Sequence, residues 1–405
     1  MKLWEKITRY PKLGLVLLAY VAFIALGMPD GLMGVAWPSV RGSFSIPLDA
    51  IGTLLVFSVA GYLTSSFISG PLVARWGVGT VLAVSCAMTG AGLIGYTLVP
   101  AWWMMVSLGL ICGLGAGAID AGLNTYAASN FGEGLMQWLH ASYGVGITLG
   151  PIIMTIGLTN LNSWRPGYRV VGGFQLILAL CFVVTLPMWN RAGPAIEENR
   201  PRQLTDYHTP MQATIRRPQV WLSAALFFFY VGAESALGTW TYSLLVEARG
   251  IDTTLAGLFA GSYWGMFAVG RILAGLYAKK LGVDRLVQWS VFGALLGALL
   301  LIWNPSTVAN LAAVALIGFA IAPVFPALMS GTSARVGDRF AANTIGIQMA
   351  STGLGTAVIP SLLGIIARRL SLEVVPLSMG IIFLTLFGLY RLAMYARKDV
   401  QKEIV

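Results

Sequence analysis

Charge is the scarcest ingredient of this 405-residue chain: Asp, Glu, Lys and Arg make up 10% of it, against 57% hydrophobic residues. An average soluble domain carries about 25% charged residues, so the composition excludes an ordinary water-facing surface. Histidine is nearly absent too, occurring only as His140 and His208. There is no H-E-x-x-H zinc signature, no P-loop and no G-x-S-x-G elbow, so the chain is not expected to be an enzyme or to hold a metal or cofactor. Cys86, Cys112 and Cys181 fall inside apolar runs without metal-ligand spacing or a disulfide framework, and read as small packing residues. Strand-like alternation of polar and apolar residues is missing, which argues against a membrane β-barrel.

What is there is apolar sequence in runs of about 20 residues or more, long enough to cross a roughly 30 Å hydrocarbon core as a helix. Gly, Pro and charge divide it into twelve expected spans, at 13–40, 49–74, 79–99, 102–130, 134–161, 169–190, 219–247, 252–278, 285–304, 306–331, 340–367 and 373–396. The expected fold class is all-α and polytopic. The opening "MKLWEKITRYPKLGLVLLAY" has basic residues before an apolar run but no small-residue cleavage signal, and reads as a retained first helix. One long polar interruption, "RAGPAIEENRPRQLTDYHTPMQATIRRP" at 191–218, reads as a solvated linker with room for a short surface helix. It separates an N-terminal six-helix bundle, 1–190, from a C-terminal one, 219–405.

The net charge of +10 does not gather into an aromatic-studded patch for nucleic acid. Instead the basic residues crowd onto alternate loops: the N-terminus, Arg75, the linker, the stretch from Lys279 to Arg285, Arg335 with Arg339, and the C-terminus. The opposite loops hold only Arg41, Arg165, Arg169, Arg249, Arg368 and Arg369. The positive-inside rule then puts both termini in the cytoplasm of a cell-membrane protein. Its expected partners are the bilayer and a small-molecule substrate, with no nucleic acid, and a monomer is expected.

The two halves echo each other. "GPLVARWG" after the second span (Gly70, Arg75, Gly77) returns as "GLYAKKLG" after the eighth (Gly275, Lys280, Gly282) at an offset of 205. "GVGITLGP" in the fifth (Gly144, Gly146, Pro151) returns as "GLGTAVIP" in the eleventh (Gly353, Gly355, Pro360) at an offset of 209. Asp30 and Glu234 sit alike in the first and seventh spans, 204 residues apart. Ordered matches at nearly one offset indicate duplication, as in transporters built from repeats. Over essentially its whole length the sequence resembles the major facilitator superfamily, whose G-x-x-x-D-R-x-G-R-R loop the two basic turns match in part. The first copy departs from it at Ala74, Val78 and Gly79, which weakens a gating ion pair there. The resemblance implies twelve transmembrane helices in two pseudo-symmetric bundles and transport by alternating access, with Gly70, Arg75, Gly77, Gly275, Lys280 and Gly282 in the gating loops.

Three acids lie well inside the spans: Asp30, Asp120 and Glu234. An acid at the bilayer centre costs roughly 2.5–3.5 kcal/mol unless it is neutral, paired or facing water. Each is a candidate for a polar cavity, the alternative being a structural hydrogen bond between helices. Asp120 in "GLGAGAIDAGLNTYAASN" has Asn124 one turn on and Gly113 and Gly117 before it, giving one small polar face. Asp30 in "GMPDGLMG" follows Pro29, which lacks a donor, and precedes Gly31, so the first helix is expected to bend and loosen there. An acid in the first span and another in a glycine-rich fourth, followed by Asn, resembles the fucose:proton symporter-like branch. That resemblance implies proton coupling by Asp120 and Asp30 and sugar binding by Asp30; the helix 4 acid here is Asp rather than Glu.

Further candidates for substrate contact are Asn124, His140, Tyr143, Glu234, Trp240, Tyr263, Trp264, Phe325 and Gln348. Aromatic rings beside amides and hydroxyls suit a sugar, whose C–H faces stack while its hydroxyls hydrogen-bond, although Trp and Tyr also fill cores and mark interfaces. Arg271, four residues before Gly275, reads as an anchor at the cytoplasmic end of its helix. With no nucleotide site, the driving force is expected to be an ion gradient, a proton first and sodium as the other carboxylate-binding ion. The first functional expectation is proton-coupled uptake of a sugar or similar small polar solute. The second is proton-driven export of amphipathic compounds, for which the aromatics and methionines would form an adaptable cavity, and a membrane sensor is a weaker third class.

Overall fold

The computed structural model describes residues 11–130, 133–189 and 209–404. Among them there is no strand. The long helices are α1 (Pro11–Phe44), α2 (Ile51–Trp76), α3 (Val78–Tyr96), α4 (Trp102–Asn130), α5 (Glu133–Leu161), α6 (Arg165–Trp189) and α7 (Pro218–Ser243). They continue with α8 (253–281), α9 (283–303), α10 (Thr307–Ser330), α11 (Asp338–Arg369) and α12 (Val374–Ile404). Among the described residues, eleven segments are long and apolar enough to cross a membrane by themselves; α8, which carries Arg271, is a further long helix. The expected all-α, multi-span architecture is the one observed. Many large apolar side chains stand outward, Phe67, Val184 and Leu276 among them, an apolar surface suited to lipid rather than water.

Chain breaks follow the glycines and prolines. Gly77 and Gly282, the repeated third glycines of the basic turns, both adopt positive φ (78° and 74°) with extended ψ. A side chain there would be strained. The eighth and ninth expected spans are therefore helical on both sides of a single kinked residue rather than separated by a loop. Gly337 (φ 86°) makes the same break ahead of α11. α7 ends in a π-helical turn, Leu244–Ala248. α10 kinks at Pro323 before its last turns. The short helix Met211–Ile215 occupies the end of the expected linker, whose residues 191–208 lie outside the described ones.

Contacts group the chain into two compact units, Met1–Ala195 with Asp252–Trp264, and Ile196–Ile251 with Gly265–Val405. In the first, α1 packs on α5, α2 on α4, and α3 on α4 and α6; in the second, α7 packs on α11 and α12. Glycine makes the tightest of these approaches possible, as small residues do wherever membrane helices lack a hydrophobic driving force. A Cβ on Gly146 would overlap the carbonyl of Ile24 in α1, and a Cβ on Gly355 would overlap the carbonyl of Phe228 in α7. These positions are repeat partners, so the duplicated glycine string of the sequence is a duplicated backbone contact. Gly27 and Gly31 approach α5 in the same way, at the carbonyls of Tyr143 and Ile147. Gly31 thus tightens packing instead of loosening it, and α1 runs as one helix through Pro29.

Polar residues close the ends. In the first unit the indole Nε1 of Trp37 donates to Leu48 O (3.0 Å) and that of Trp164 to Ser43 Oγ (2.9 Å). In the second, the Arg249 guanidinium emerges from the π turn and is bidentate to Glu373 (2.8 and 2.7 Å), with further bonds to Asn310 Oδ1 and Leu301 O. This ties the end of α7 to α9, α10 and the turn before α12.

The helix contacts make a direct forecast. Gly146→Val and Gly355→Val each push a side chain into a facing carbonyl, and overpacking of this kind costs typically about 1–3 kcal/mol. Thermal unfolding of the detergent-solubilised protein is expected to move down by several degrees for both. Gly70→Val and Gly275→Val, whose added Cβ meets nothing within 4 Å, are expected to leave it nearly unchanged. Equal losses at all four positions would contradict the packing described.

Candidate functional site

In the first unit, the close approach of α2 and α4 is set by Gly113 and Gly117. A Cβ on either would strike the α2 backbone, at the carbonyls of Ser58 and Tyr62 respectively. Because the backbones meet here, Tyr62 reaches across to the acid one turn beyond Gly117. Its Oη donates to Asp120 Oδ2 at 2.5 Å, while Asn124 Nδ2, one turn along α4, donates to Oδ1 at 2.8 Å. Both carboxylate oxygens of Asp120 therefore accept from neutral donors, an arrangement that satisfies the charged form.

A second pair forms across α1 and α5. Gly27, Gly31, Gly146 and Gly150 bring these helices together, and Tyr143 Oη donates to Asp30 Oδ2 at 2.6 Å. Asp30 is exposed and Asp120 half-buried. Since both sit within helices that cross the hydrocarbon, accessible carboxylates there must face water or polar ligand rather than lipid. The pairs are neighbours: the charge of Asp120 acts on Asp30, and both charges act on Tyr62. Four helices thus contribute one group each to a cluster of two acids and two phenols. Binding of a proton to Asp120 would turn a carboxylate oxygen from acceptor to donor, so the Tyr62 phenol would have to reverse and accept, or one of the two donors would lose its acceptor.

Asp30, Asp120, Asn124 and Tyr143 are brought together as a set. Tyr62 was not anticipated from the sequence. The signal was half present, since the small face of Gly113 and Gly117 announces a close neighbour, but nothing in the sequence names which helix supplies it. His140 lies in α5, and its side chain is outside the described ones.

The second unit assembles a different group. Tyr230 and Glu234 stand one turn apart on α7, and the Tyr230 phenol is in side-chain and electrostatic contact with both Glu234 and Arg271. Arg271 was expected as an anchor at the cytoplasmic end of α8. Its guanidinium instead turns inward, stacked 4.4 Å from the centroid of Phe267 with Nε pointing to Ala322 O at the α10 kink (3.4 Å). Phe325 is half-buried against Phe227 (5.3 Å) and Tyr230 (6.3 Å).

The other candidates lie apart from these clusters or deep in packing. Trp240 is fully buried, its Nε1 donating to Pro360 O (2.9 Å). Tyr263 and Trp264 are buried in a T-shaped contact at 4.6 Å within the first unit's share of α8. Gln348 is fully buried and donates to Ser223 Oγ (2.6 Å) and Thr332 Oγ1 (3.1 Å). The same two hydroxyls meet Arg335, which also donates to Leu328 O. Burial pulls the Arg335 guanidinium down to about 10, so it stays charged at neutral pH. Of the basic turns, Arg75 and Lys280 are exposed.

A family model described as the Major Facilitator Superfamily matches residues 19–351. The glucose/mannose transporter GlcP of Bacillus subtilis is 22% identical over 377 residues, covering 91% of this chain and 91% of that protein. The sodium-dependent glucose transporter 1A of Mus musculus is 23% identical over 388 residues, covering 86% of this chain and 88% of its own length. Among solved structures, a bacterial homologue of the human lysosomal transporter Spinster, inward-facing and unoccupied, superposes with a TM-score of 0.77 at 14% identity, covering 96% of this chain and 98% of that one. At that identity the likeness concerns the fold.

The Tyr62–Asp120 bond is open to a double-mutant cycle. Hydrogen bonds to charged groups contribute about 1.5–3 kcal/mol. The unfolding free energies of Tyr62→Phe, Asp120→Asn and the double variant are expected to be non-additive by about 1 kcal/mol or more. Additivity within about 0.5 kcal/mol would mean that the two side chains do not interact.

Proposed function

The chain belongs to the Major Facilitator Superfamily, a family of membrane transporters rather than enzymes, and we propose that it takes up a sugar or similar small polar solute together with a proton. It is an integral membrane protein whose substrate is a small molecule. The observation that carries the finer reading is the pair of tyrosine-bonded carboxylates, Asp120 with Tyr62 and Asp30 with Tyr143, set side by side within membrane-crossing helices. Asp120 is the principal proton site. Asp30 is the second proton site and a sugar-hydroxyl acceptor, placed with Tyr143 where one ligand can meet a carboxylate and a phenol.

Coupling follows from the donor count. Ionised Asp120 holds Tyr62 and Asn124 as donors; once it is protonated, the Tyr62 phenol has to reverse and accept or give up its bond, so protonation changes the polar link between α2 and α4. Sugar at Asp30 and a proton at Asp120 together remove or satisfy both charges, which lowers the barrier to closing the site to water. Movement of one bundle against the other then exposes the site to the opposite side, with the Gly77 and Gly282 turns as the gating loops. Two relatives, one a glucose/mannose transporter and one a sodium-dependent glucose transporter, support a hexose as substrate. The crowding of Lys and Arg onto alternate loops supports cytoplasmic termini in a cell membrane.

The test is uptake of labelled glucose and mannose into proteoliposomes. An inward proton gradient in sodium-free buffer is expected to drive accumulation above equilibrium. Asp120→Asn is expected to abolish accumulation while leaving sugar-for-sugar exchange measurable. Accumulation that requires sodium and ignores the proton gradient would reassign the coupling ion. Expulsion of an amphipathic dye under the same gradient, without sugar uptake, would favour export.

A further inference from the structure

The second unit pairs an acid with a base where the described cluster of the first joins two acids to two phenols. Glu234 and Arg271 both contact the Tyr230 phenol. They come from different helices, and both are only half-buried inside the bundle. Charges at that depth that keep some accessibility face water or ligand. Tyr230 is fully buried, yet its Oη makes no hydrogen bond of good geometry within the protein. A buried hydroxyl without a well-formed bond is costly, and a ligand hydroxyl would satisfy it. Beside this polar group stand Phe267, under the guanidinium, and Phe325, packed against Tyr230. The result is one acceptor, one forked donor and one phenol that does both, next to two aromatic faces.

We infer that Tyr230, Glu234 and Arg271 form a charge-balanced subsite that binds the hydroxyls of a neutral sugar and selects against charged ones, with Arg271 as its specificity-determining residue. This rests on the sugar-transport reading above. Carboxylate and guanidinium cancel, so a neutral polyol meets donors and acceptors without a net field. A sugar acid brings a carboxylate against Glu234, and an amino sugar brings an ammonium against Arg271; either leaves a like-charge contact that repels. Selectivity among charge classes is therefore written in the balance of two residues, and removing one should tip it predictably.

The experiment measures binding of glucose, glucuronate and glucosamine at pH 6.5 to the purified full-length protein, with thermal unfolding of each variant as a check on folding. The unsubstituted protein is expected to favour glucose. Glu234→Gln leaves Arg271 unbalanced and is expected to raise the glucuronate-to-glucose affinity ratio about tenfold. Arg271→Gln is expected to raise the glucosamine-to-glucose ratio similarly, and the double variant to return both ratios toward the starting values. Tyr230→Phe removes only the hydroxyl, and, with its thermal unfolding close to that of the unsubstituted protein, it should weaken glucose binding about tenfold without changing either ratio. Folded variants with ratios within twofold of the original, or a folded Tyr230→Phe with unchanged glucose affinity, would overturn the subsite. Absence of sugar binding by the unsubstituted protein would instead defeat the transport reading. Should Glu234→Gln and Arg271→Gln fail to fold, the Tyr230→Phe result decides.

Discussion

A backbone carbonyl resting where a side chain would otherwise be is the contact on which the rest of this protein depends. In hydrocarbon, helices gain little by hiding apolar surface from one another, so association rests on closeness and on polar bonds. Gly146 against Ile24, Gly355 against Phe228, and Gly113 and Gly117 against Ser58 and Tyr62 supply that closeness. Each of these contacts lies beside a functional candidate. The α1–α5 approach sets Asp30 within reach of Tyr143, and the α2–α4 approach sets Asp120 within reach of Tyr62. With bulkier residues at these glycines the helices would stand further apart, and tyrosine would no longer span the gap.

The two units use the same packing device to hold different chemistry. In the first, two carboxylates take neutral donors from tyrosine and asparagine, so their charge remains open to a proton. In the second, the repeat-related acid Glu234 shares its tyrosine with Arg271. Duplication preserved the helix contact and let the titratable content diverge. That division matches the proposed roles, with the proton sites in the first unit and the charge-balanced sugar subsite in the second. It also separates both from the stabilising polar groups at the ends, Arg249 with Glu373 and Arg335 with Gln348 and Ser223, whose bonds to protein are already made.

Much of the architecture is legible in the sequence. Apolar run length, turn residues and the repeated strings were enough for the spans and the family, because crossing a bilayer leaves the backbone almost no alternative to a helix. The three intramembrane acids were conspicuous for the same reason, as charges that hydrocarbon does not tolerate unassisted. Local readings that needed a partner did less well. Gly31 looked like a point where the first helix loosens and is a packing surface; Arg271 looked like an anchor at a helix end and turns toward Tyr230; Gln348 looked like a substrate contact and is buried in a cluster with Ser223 and Thr332.

The sequence by itself determined which stretches cross the membrane, that the chain is duplicated, and which residues are anomalous there, since each of these follows from the solvent and from spacing along one helix. Tertiary structure decided which residue answers each anomaly. Tyr62 belongs to Asp120, Tyr143 to Asp30 and Arg271 to Tyr230 because helices distant in sequence meet face to face. The angle and depth of that meeting are set by many side-chain volumes at once, information that no single helix carries.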